Sequence, residues 1–101
     1  MSLDQLSIES SELYKIENKT LVDVREKFET DNGIIPGSIC IPLGELEQLH
    51  KSKLDKDKRI IVYCEHGVRS LEAVFILKSN GYEKVHSLEG GYVAWMETNN
   101  Q

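Results

Sequence analysis

The feature that most constrains the fold is the run Arg-Ile-Ile-Val-Tyr at residues 59–63, which leads through a short loop into a helical pattern. Apolar and β-branched side chains dominate this run, so it predicts a buried strand. After the loop, residues 70–80 carry apolar side chains at helical intervals, namely Leu71, Val74, Phe75 and Leu77. Gly81 suits the left-handed conformation that ends many helices. This part of the chain therefore predicts a strand, a loop and a helix in direct succession.

The rest of the chain alternates strand and helix patterns in the same way. Strand patterns occupy residues 6–8, 20–24, 39–41 and 84–88. Helix patterns occupy residues 10–17, 26–31, 44–50 and 92–97. Strands that alternate with helices across short connections imply a mainly parallel sheet covered on both faces. We therefore predict an α/β fold with one domain over residues 1–101 and a central sheet of about five strands.

Composition argues against several classes of function. The formal net charge is −5, and Asp55 and Asp57 interrupt the basic stretch at 51–59, so no cluster of Lys and Arg suits nucleic-acid phosphates. No apolar run approaches the roughly 20 residues that a bilayer requires, so we expect no membrane partner. Residues 1–8 lack the basic and apolar regions of a secretory signal. We expect a cytoplasmic protein whose cysteines stay reduced.

Cys64 lies where the predicted strand ends and shortly before the predicted helix begins. In parallel sheets, ligands bind beyond the carboxyl ends of the strands, where helix N-termini offer unpaired N–H groups and about half a positive charge. Such a field lowers the pKa of a thiol from about 8.5 into a range of roughly 3.5 to 7.5. We therefore interpret Cys64 as a nucleophile that is largely thiolate at neutral pH, in preference to a buried structural cysteine.

The residues that follow Cys64 suit an anion-binding loop. Gly67 lets the loop turn its amides inward because no Cβ stands in the way. Arg69 supplies a permanent cation at a helix start, which favours an anion-binding role over a solvated side chain. Ser70 can cap a free N–H group or donate a hydrogen bond to a bound anion. His66 either tunes the loop or points to solvent.

Other residues receive structural interpretations. Asp23 and Arg25 are interpreted as an ion pair that braces the neighbouring loop rather than as catalytic groups. Cys40 lies between Ile39 and Ile41 in an apolar strand. We therefore predict that Cys40 is a packed core residue, with a resolving thiol as the alternative.

The remaining histidines and aromatic residues show no site pattern. His50 and His86 stand without a second ligand at metal spacing. We therefore predict that they are ordinary surface or strand residues and that the chain has no metal site. Tyr92 and Trp95 are predicted to pack against the core and to cap its end.

Four segments, in the same order, resemble signatures of the rhodanese domain family over about residues 21–95. They are Leu-Val-Asp-Val-Arg-Glu at 21–26, Gly-Ile-Ile-Pro-Gly at 33–37, Cys-Glu-His-Gly-Val-Arg at 64–69 and Leu-Glu-Gly-Gly-Tyr-Val-Ala-Trp at 88–95. The third is similar to the active loop of the family, and the fourth resembles its closing Gly-Gly-x-x-x-Trp signature. Ile34 departs from the family, many members of which have His there. The chain is identified as a single-domain member of this family.

The resemblance implies a rhodanese-type sulfurtransferase. Cys64 would take a sulfane sulfur from a small anionic donor such as thiosulfate or from a protein persulfide, hold it as a persulfide, and pass it to a thiol, cyanide or protein acceptor. Arg69 would stabilise the charge of this intermediate. Backbone N–H groups of the loop would form the anion cradle, from Glu65, His66, Gly67, Val68 and Ser70. No cofactor is implied.

Two features of the loop bear on the substrate. Fewer residues separate Cys64 from Arg69 than in the related cysteine phosphatases and arsenate reductases, so the smaller cradle favours one sulfur atom over a tetrahedral phosphate. Glu65 places a negative charge beside the nucleophile, where it should oppose dianionic donors such as thiosulfate unless His66 or Arg69 offsets it.

Two alternatives to a sulfurtransferase stay open. The first is a protein-binding or regulatory module on the same fold, and the second, less favoured, is a phosphatase or arsenate reductase.

Overall fold

Five parallel strands form one sheet in a computed structural model that describes residues 6–99. In chain order they are β1 (Ser7–Ile8), β2 (Lys19–Asp23), β3 (Ile39–Cys40), β4 (Arg59–Tyr63) and β5 (Val85–Leu88). Their order across the sheet is β1-β5-β4-β2-β3, and every neighbouring pair is parallel. The predicted α/β fold with a parallel sheet of about five strands is confirmed. The predicted domain limits at residues 1 and 101 lie outside the described residues.

Helices connect the strands and follow the sequence prediction with shifted bounds. The α-helices are α1 (Lys27–Thr30), α2 (Leu46–Lys53), α3 (Val68–Ser79) and α4 (Gly91–Asn99), and two 3₁₀ helices span Ser10–Lys15 and Leu43–Glu45. Helix α3 begins before the predicted residue 70 because Gly67 adopts a left-handed conformation with φ +100°. This conformation turns the chain directly from the loop into the helix.

The side chains of β4 alternate between two apolar clusters, one on each face of the sheet. Ile60 and Val62 belong to a cluster with side chains of α2 and α3. Ile61 and Tyr63 belong to a cluster on the other face, where side chains of β1, of the first 3₁₀ helix and of α4 pack. The predicted packing of Tyr92 and Trp95 is confirmed in this second cluster. Because β4 is buried on both faces, it forms a rigid base for the loop that follows it.

Cys40 is exposed, so its predicted place in the core is wrong. Strand β3 lies at the edge of the sheet and pairs with β2 alone among the described strands. Ile41 belongs to the apolar cluster that includes side chains of α2 and α3, and Ile39 packs against the same cluster. Because side chains alternate along a strand, Cys40 lies on the opposite side. Cys40 instead lines a surface groove of about 470 Å³ together with Ile34. An edge strand this short is not covered on both faces, which the apolar sequence around Cys40 does not reveal.

His50 and His86 are both buried, and His50 is neither a surface nor a strand residue, so the prediction for His50 is wrong. His50 lies on α2, and its Nδ1 is 2.9 Å from the hydroxyl oxygen of Tyr82, whose ring it meets edge-on. His86 is a strand residue, as predicted, and lies within β5. Within residues 6–99, no group of three or more His, Cys, Asp or Glu is arranged to hold a metal ion. No helix in the same part of the chain is long and apolar enough to cross a bilayer.

Candidate active site

Cys64 follows β4 directly and lies at the carboxyl edge of the sheet, at the base of a loop that leads into α3. Only 1% of Cys64 is exposed. The loop turns at Gly67, where an added Cβ would lie 3.2 Å from the backbone nitrogen of Gly90. A side chain at Gly67 would therefore meet both an unfavourable backbone conformation and a close neighbour.

The start of α4 holds the loop in place. The N–H group of Tyr92 donates to the carbonyl oxygen of Cys64 at 2.8 Å, and the N–H group of Val93 donates to that of Glu65 at 3.1 Å. A Cβ at Gly91 would collide with both loop residues at their backbone atoms. Gly91 therefore allows the helix to approach closely enough to hydrogen-bond the backbone of the loop.

The sulfur of Cys64 receives hydrogen bonds from the loop that closes over it. The N–H groups of Gly67 and Ser70 lie 3.1 and 3.4 Å from Sγ, and the Ser70 hydroxyl oxygen lies 3.6 Å from it. Burial alone raises the pKa of the Cys64 thiol, but hydrogen bonds from Ser70, Gly67 and the His66 backbone outweigh burial and lower the pKa below its ordinary value. The loop thus favours the thiolate, which is the nucleophilic form.

Ser87 supports this arrangement from β5, although the sequence analysis did not select it. Its hydroxyl oxygen lies 2.6 Å from that of Ser70, and both residues are buried. The strand register places Ser87 opposite Val62, two residues before Cys64. A polar residue inside a short buried strand is the one sequence signal that could have pointed to it, because buried hydroxyl groups need hydrogen-bond partners.

The predicted ion pair between Asp23 and Arg25 is present and buried. Arg25 donates to Asp23 through Nε and Nη2, with a shortest distance of 2.7 Å, and Nη2 also donates to the carbonyl oxygen of Gly33. Its guanidinium lies 4.2 Å from the ring centroid of Tyr92. Nη1 reaches across to the carboxylate of Glu65 at 3.0 Å. The charge of Glu65 is therefore offset by Arg25, and not by His66, whose side chain is exposed, or by Arg69.

Arg69 has its anionic partner on α1. Nη1 and Nη2 donate to the two carboxylate oxygens of Glu29 at 2.6 and 2.8 Å, a two-point contact of the geometry that guanidinium and carboxylate groups favour. Hydrogen bonds from Arg69 lower the pKa of Glu29 to about 2. The pKa of Arg69 is raised, first by its hydrogen bonds with Glu29 and further by the sulfur of Cys64. Arg69 is therefore paired with the Glu29 carboxylate and also interacts electrostatically with the candidate nucleophile.

The charged cluster consists of two ion-paired groups beside the loop, Asp23, Arg25 and Glu65 in one and Glu29 and Arg69 in the other. Its three carboxylates face two guanidinium groups, which leaves one negative charge. An opening of about 250 Å³ lies against this cluster and is lined by Arg25, Phe28, Glu29, Asn32, Glu65 and Tyr92. A larger depression of about 500 Å³ lies at the opposite edge of the sheet, beside Arg59 at the start of β4. The smaller opening is the one next to the candidate loop, because Glu65, the residue after Cys64, lines it.

The loop brings together most of the residues that the sequence analysis selected. Gly67 and Ser70 meet at the sulfur of Cys64, whereas Glu65 is held by Arg25 and Arg69 by Glu29. The side chains of His66 and Val68 are exposed. Glu29 was not selected, because it stands 40 positions from Arg69 and only the fold brings the two together.

Comparison with known proteins gives a consistent result. The sequence profile of the family described as "Rhodanese-like domain" matches residues 9–98. A protein of Allochromatium vinosum named "Sulfurtransferase" is 36% identical over 85% of this chain and 79% of its own length. The thiosulfate sulfurtransferase GlpE of Coxiella burnetii is 31% identical over 94% of this chain and 89% of its own length. The crystal structure of a rhodanese-related protein from Thermoplasma volcanium superposes with a TM-score of 0.84 at 41% identity and covers 92% of each chain.

Proposed function

Because this chain belongs to the rhodanese-like domain family, we propose that it is a sulfurtransferase in which Cys64 carries the transferred sulfur as a persulfide. One observation carries the proposal: a buried sulfur accepts hydrogen bonds from two backbone N–H groups, and its pKa is lowered. Relatives that are named sulfurtransferases support the same class of reaction.

In the first half-reaction the Cys64 thiolate attacks the outer sulfur of the donor. A sulfur–sulfur bond to Cys64 forms while the donor's own bond to that sulfur breaks, and the leaving group departs with the electron pair. With thiosulfate the leaving group is sulfite, and with a hydropersulfide it is a thiolate. Charge is conserved in both cases, and no external oxidant or reductant is needed.

The persulfide that results carries its negative charge on the terminal sulfur. The loop between Cys64 and α3 can place its N–H groups around this atom, because the N–H groups of Gly67 and Ser70 already point to the sulfur of Cys64. Arg69, in the first turn of α3, adds a positive charge that interacts with the sulfur. In the second half-reaction a thiol, cyanide or protein acceptor attacks the terminal sulfur and restores the Cys64 thiolate.

The charged cluster disfavours the phosphatase and arsenate reductase alternatives. Both reactions bring a tetrahedral oxyanion with several negative charges to the loop, where a free arginine would normally meet it. Here Arg69 is engaged by Glu29, and the cluster already carries one surplus negative charge. A single transferred sulfur atom needs less positive charge in the site than such an oxyanion does.

The two cysteines are free thiols. This state suits the reducing environment of the cytoplasm, which we propose as the location of the protein.

Intact mass measurement tests the proposed function. The protein is incubated with thiosulfate or with a hydropersulfide, the donor is removed, and the protein is weighed. We expect a gain equal to one sulfur atom that is retained in Cys40→Ser, lost in Cys64→Ser, and removed when cyanide is added. A stable adduct that no acceptor removes would instead support the binding or regulatory module, and no adduct with any donor would contradict the proposal.

A further inference from the structure

Glu29 lies outside the loop and contacts it through a charged hydrogen-bonded pair. Its carboxylate lies against the guanidinium of Arg69 in a two-point contact with distances of 2.6 and 2.8 Å. The side chain of Glu29 is 18% exposed and that of Arg69 is 37% exposed, so the pair is partly shielded from water. Charged hydrogen bonds of this kind are roughly twice as strong as neutral ones. Arg69 is therefore held in place before a substrate arrives.

The position of Glu29 is itself fixed by α1. Its Oε1 accepts a hydrogen bond from the backbone N–H of Glu26 at 3.1 Å, and the Glu26 side chain accepts one from the backbone of Glu29. These reciprocal contacts form a capping box at the start of α1. The carboxylate that holds Arg69 is thus anchored to the helix, and release of Arg69 requires that a charged contact be broken.

The engagement of Arg69 has a consequence for anionic donors. In the charged cluster both guanidinium groups already contact carboxylates, and one negative charge remains in surplus. An incoming anion gains attraction from backbone N–H groups but little from a free cation. Since electrostatic energy grows in proportion to the charge on the donor, a dianion is opposed about twice as strongly as a monoanion in the same position.

We propose that Glu29 determines which sulfur donors the site accepts, by holding Arg69 and so disfavouring dianionic donors such as thiosulfate relative to singly charged donors such as a persulfide. This inference rests on the proposed function, because it names the substrate class of the same site. Glu29 touches neither the sulfur nor the donor in this scheme. It acts through Arg69 and through its own charge.

Two donors of matched shape test the proposal. Thiosulfate and methanethiosulfonate carry the same transferable sulfur on a sulfonyl group, but a methyl group in the second replaces one charged oxygen. Cys64 attacks the outer sulfur of either, and sulfite or methanesulfinate leaves with the electron pair. For Glu29→Gln, which removes the charge and keeps the size, we expect kcat/KM to rise about tenfold with thiosulfate and about threefold with methanethiosulfonate, because the smaller charge halves the energy.

Three comparisons make the result specific to Glu29. Glu17→Gln changes the net charge equally, but Glu17 is exposed and precedes β2 at the opposite edge of the sheet, so it should leave both rates unchanged. Glu29→Asp keeps the charge and should keep the donor preference of the wild type. The difference between the two donors in Glu29→Gln should shrink as salt is added, because ions screen exposed charges. Equal gains for both donors, or the same gains in Glu17→Gln, would overturn the proposal.

A binding measurement separates this proposal from the proposed function. Sulfate and methanesulfonate are unreactive anions of matched shape, and their binding is read from the protection of Cys64 against iodoacetamide. The wild-type protein should bind methanesulfonate at least as tightly as sulfate, and Glu29→Gln should reverse that order. The wild-type comparison needs no variant and no sulfur transfer. Tighter binding of sulfate by the wild type would refute the role of Glu29 even if Cys64 transfers sulfur, and absent transfer with the expected binding order would refute only the proposed function.

Discussion

Replacement of Ser87 with alanine tests whether a buried hydroxyl pair controls the acidity of Cys64. Ser87 acts through Ser70, because its Oγ lies 2.6 Å from the Ser70 hydroxyl oxygen, which lies 3.6 Å from the sulfur. When Cys64 is a thiolate, the Ser70 hydroxyl must donate to sulfur, and Ser87 can then donate to the Ser70 oxygen. Ser87→Ala removes this support without touching the nucleophile.

The expected shift follows from the strength of hydrogen bonds to charged groups. Such bonds contribute about 1.5 to 3 kcal/mol, and one unit of pKa corresponds to about 1.4 kcal/mol. Because the oxygen–sulfur distance of 3.6 Å is long, the lower end applies, and Ser70→Ala should raise the pKa of Cys64 by about one unit. Ser87→Ala should raise it by about half a unit, because Ser70 can still donate but is less well oriented. The backbone N–H groups remain in both variants.

The pH dependence of iodoacetamide labelling, resolved by site, measures this pKa. Cys40 in the same molecule is the internal control, since partial desolvation of its thiol and the charge of Asp23 raise its pKa, and it lies outside the loop. The labelling midpoint of Cys64 should move to higher pH in Ser87→Ala and further in Ser70→Ala. An unchanged midpoint in both variants, or a parallel shift of Cys40, would refute the argument.

Folding stability should change with pH in a matching direction. The pKa of Cys64 is lowered in the folded state, so its thiolate stabilises the fold above the pKa of the unfolded chain, and this contribution is lost as the pH falls through the folded pKa. Ser70→Ala should therefore lose more stability, relative to the wild type, in alkaline than in acidic buffer. Denaturant melts at both pH values would show it, and an equal loss at both would count against the linkage.

Three further outcomes follow from the site. At neutral pH Cys64 should alkylate much faster than Cys40, because the loop lowers the pKa of Cys64, whereas partial desolvation and the charge of Asp23 raise that of Cys40. Comparable rates in peptide mass spectra would remove the case for an activated thiolate. Arg69→Ala should strongly reduce the rate of sulfur transfer and lower the thermal midpoint of unfolding only slightly, because its partly exposed ion pair contributes little to folding stability. A large drop in the thermal midpoint with a normal rate per folded molecule would show that the role of Arg69 is structural. Asp23→Asn should lower the free energy of unfolding, measured in denaturant melts, by about 3 kcal/mol, because it leaves the buried charge of Arg25 without its main partner. A loss below about 1 kcal/mol would show that the other contacts of Arg25 are enough to stabilise its charge.

The strands could be predicted because local sequence determines them. The bounds of β4 match the predicted run, since its apolar residues are buried on both faces and any other structure would expose them. The exposure of side chains on the edge strand could be predicted less well than the position of the strands. Cys40 sits between two isoleucines, and its exposure depends on the position of β3 at the edge, which the order of strands decides and the local sequence does not.

The site divides in the same way between local and distant contacts. The loop from Cys64 to Ser70 could be predicted because one turn of chain brings the N–H groups to the sulfur. Glu29 and Ser87 could not, because they reach the loop from 40 and 17 positions away in sequence. The expectation that His66 or Arg69 would offset the charge of Glu65 also changes, since Arg25, 40 positions away in sequence, contacts it instead. Partner choice among charged side chains is set by the fold.

A single-turnover transfer experiment tests the central claim most directly. The protein is loaded with sulfur from a hydropersulfide, freed of donor by gel filtration, and mixed with cyanide while thiocyanate is measured against the concentration of protein. We expect up to one thiocyanate per protein molecule, formed at the rate at which the Cys64 adduct disappears, and none from Cys64→Ser. Thiocyanate from the Cys64→Ser protein, or a Cys64 adduct that persists while cyanide is present, would contradict it.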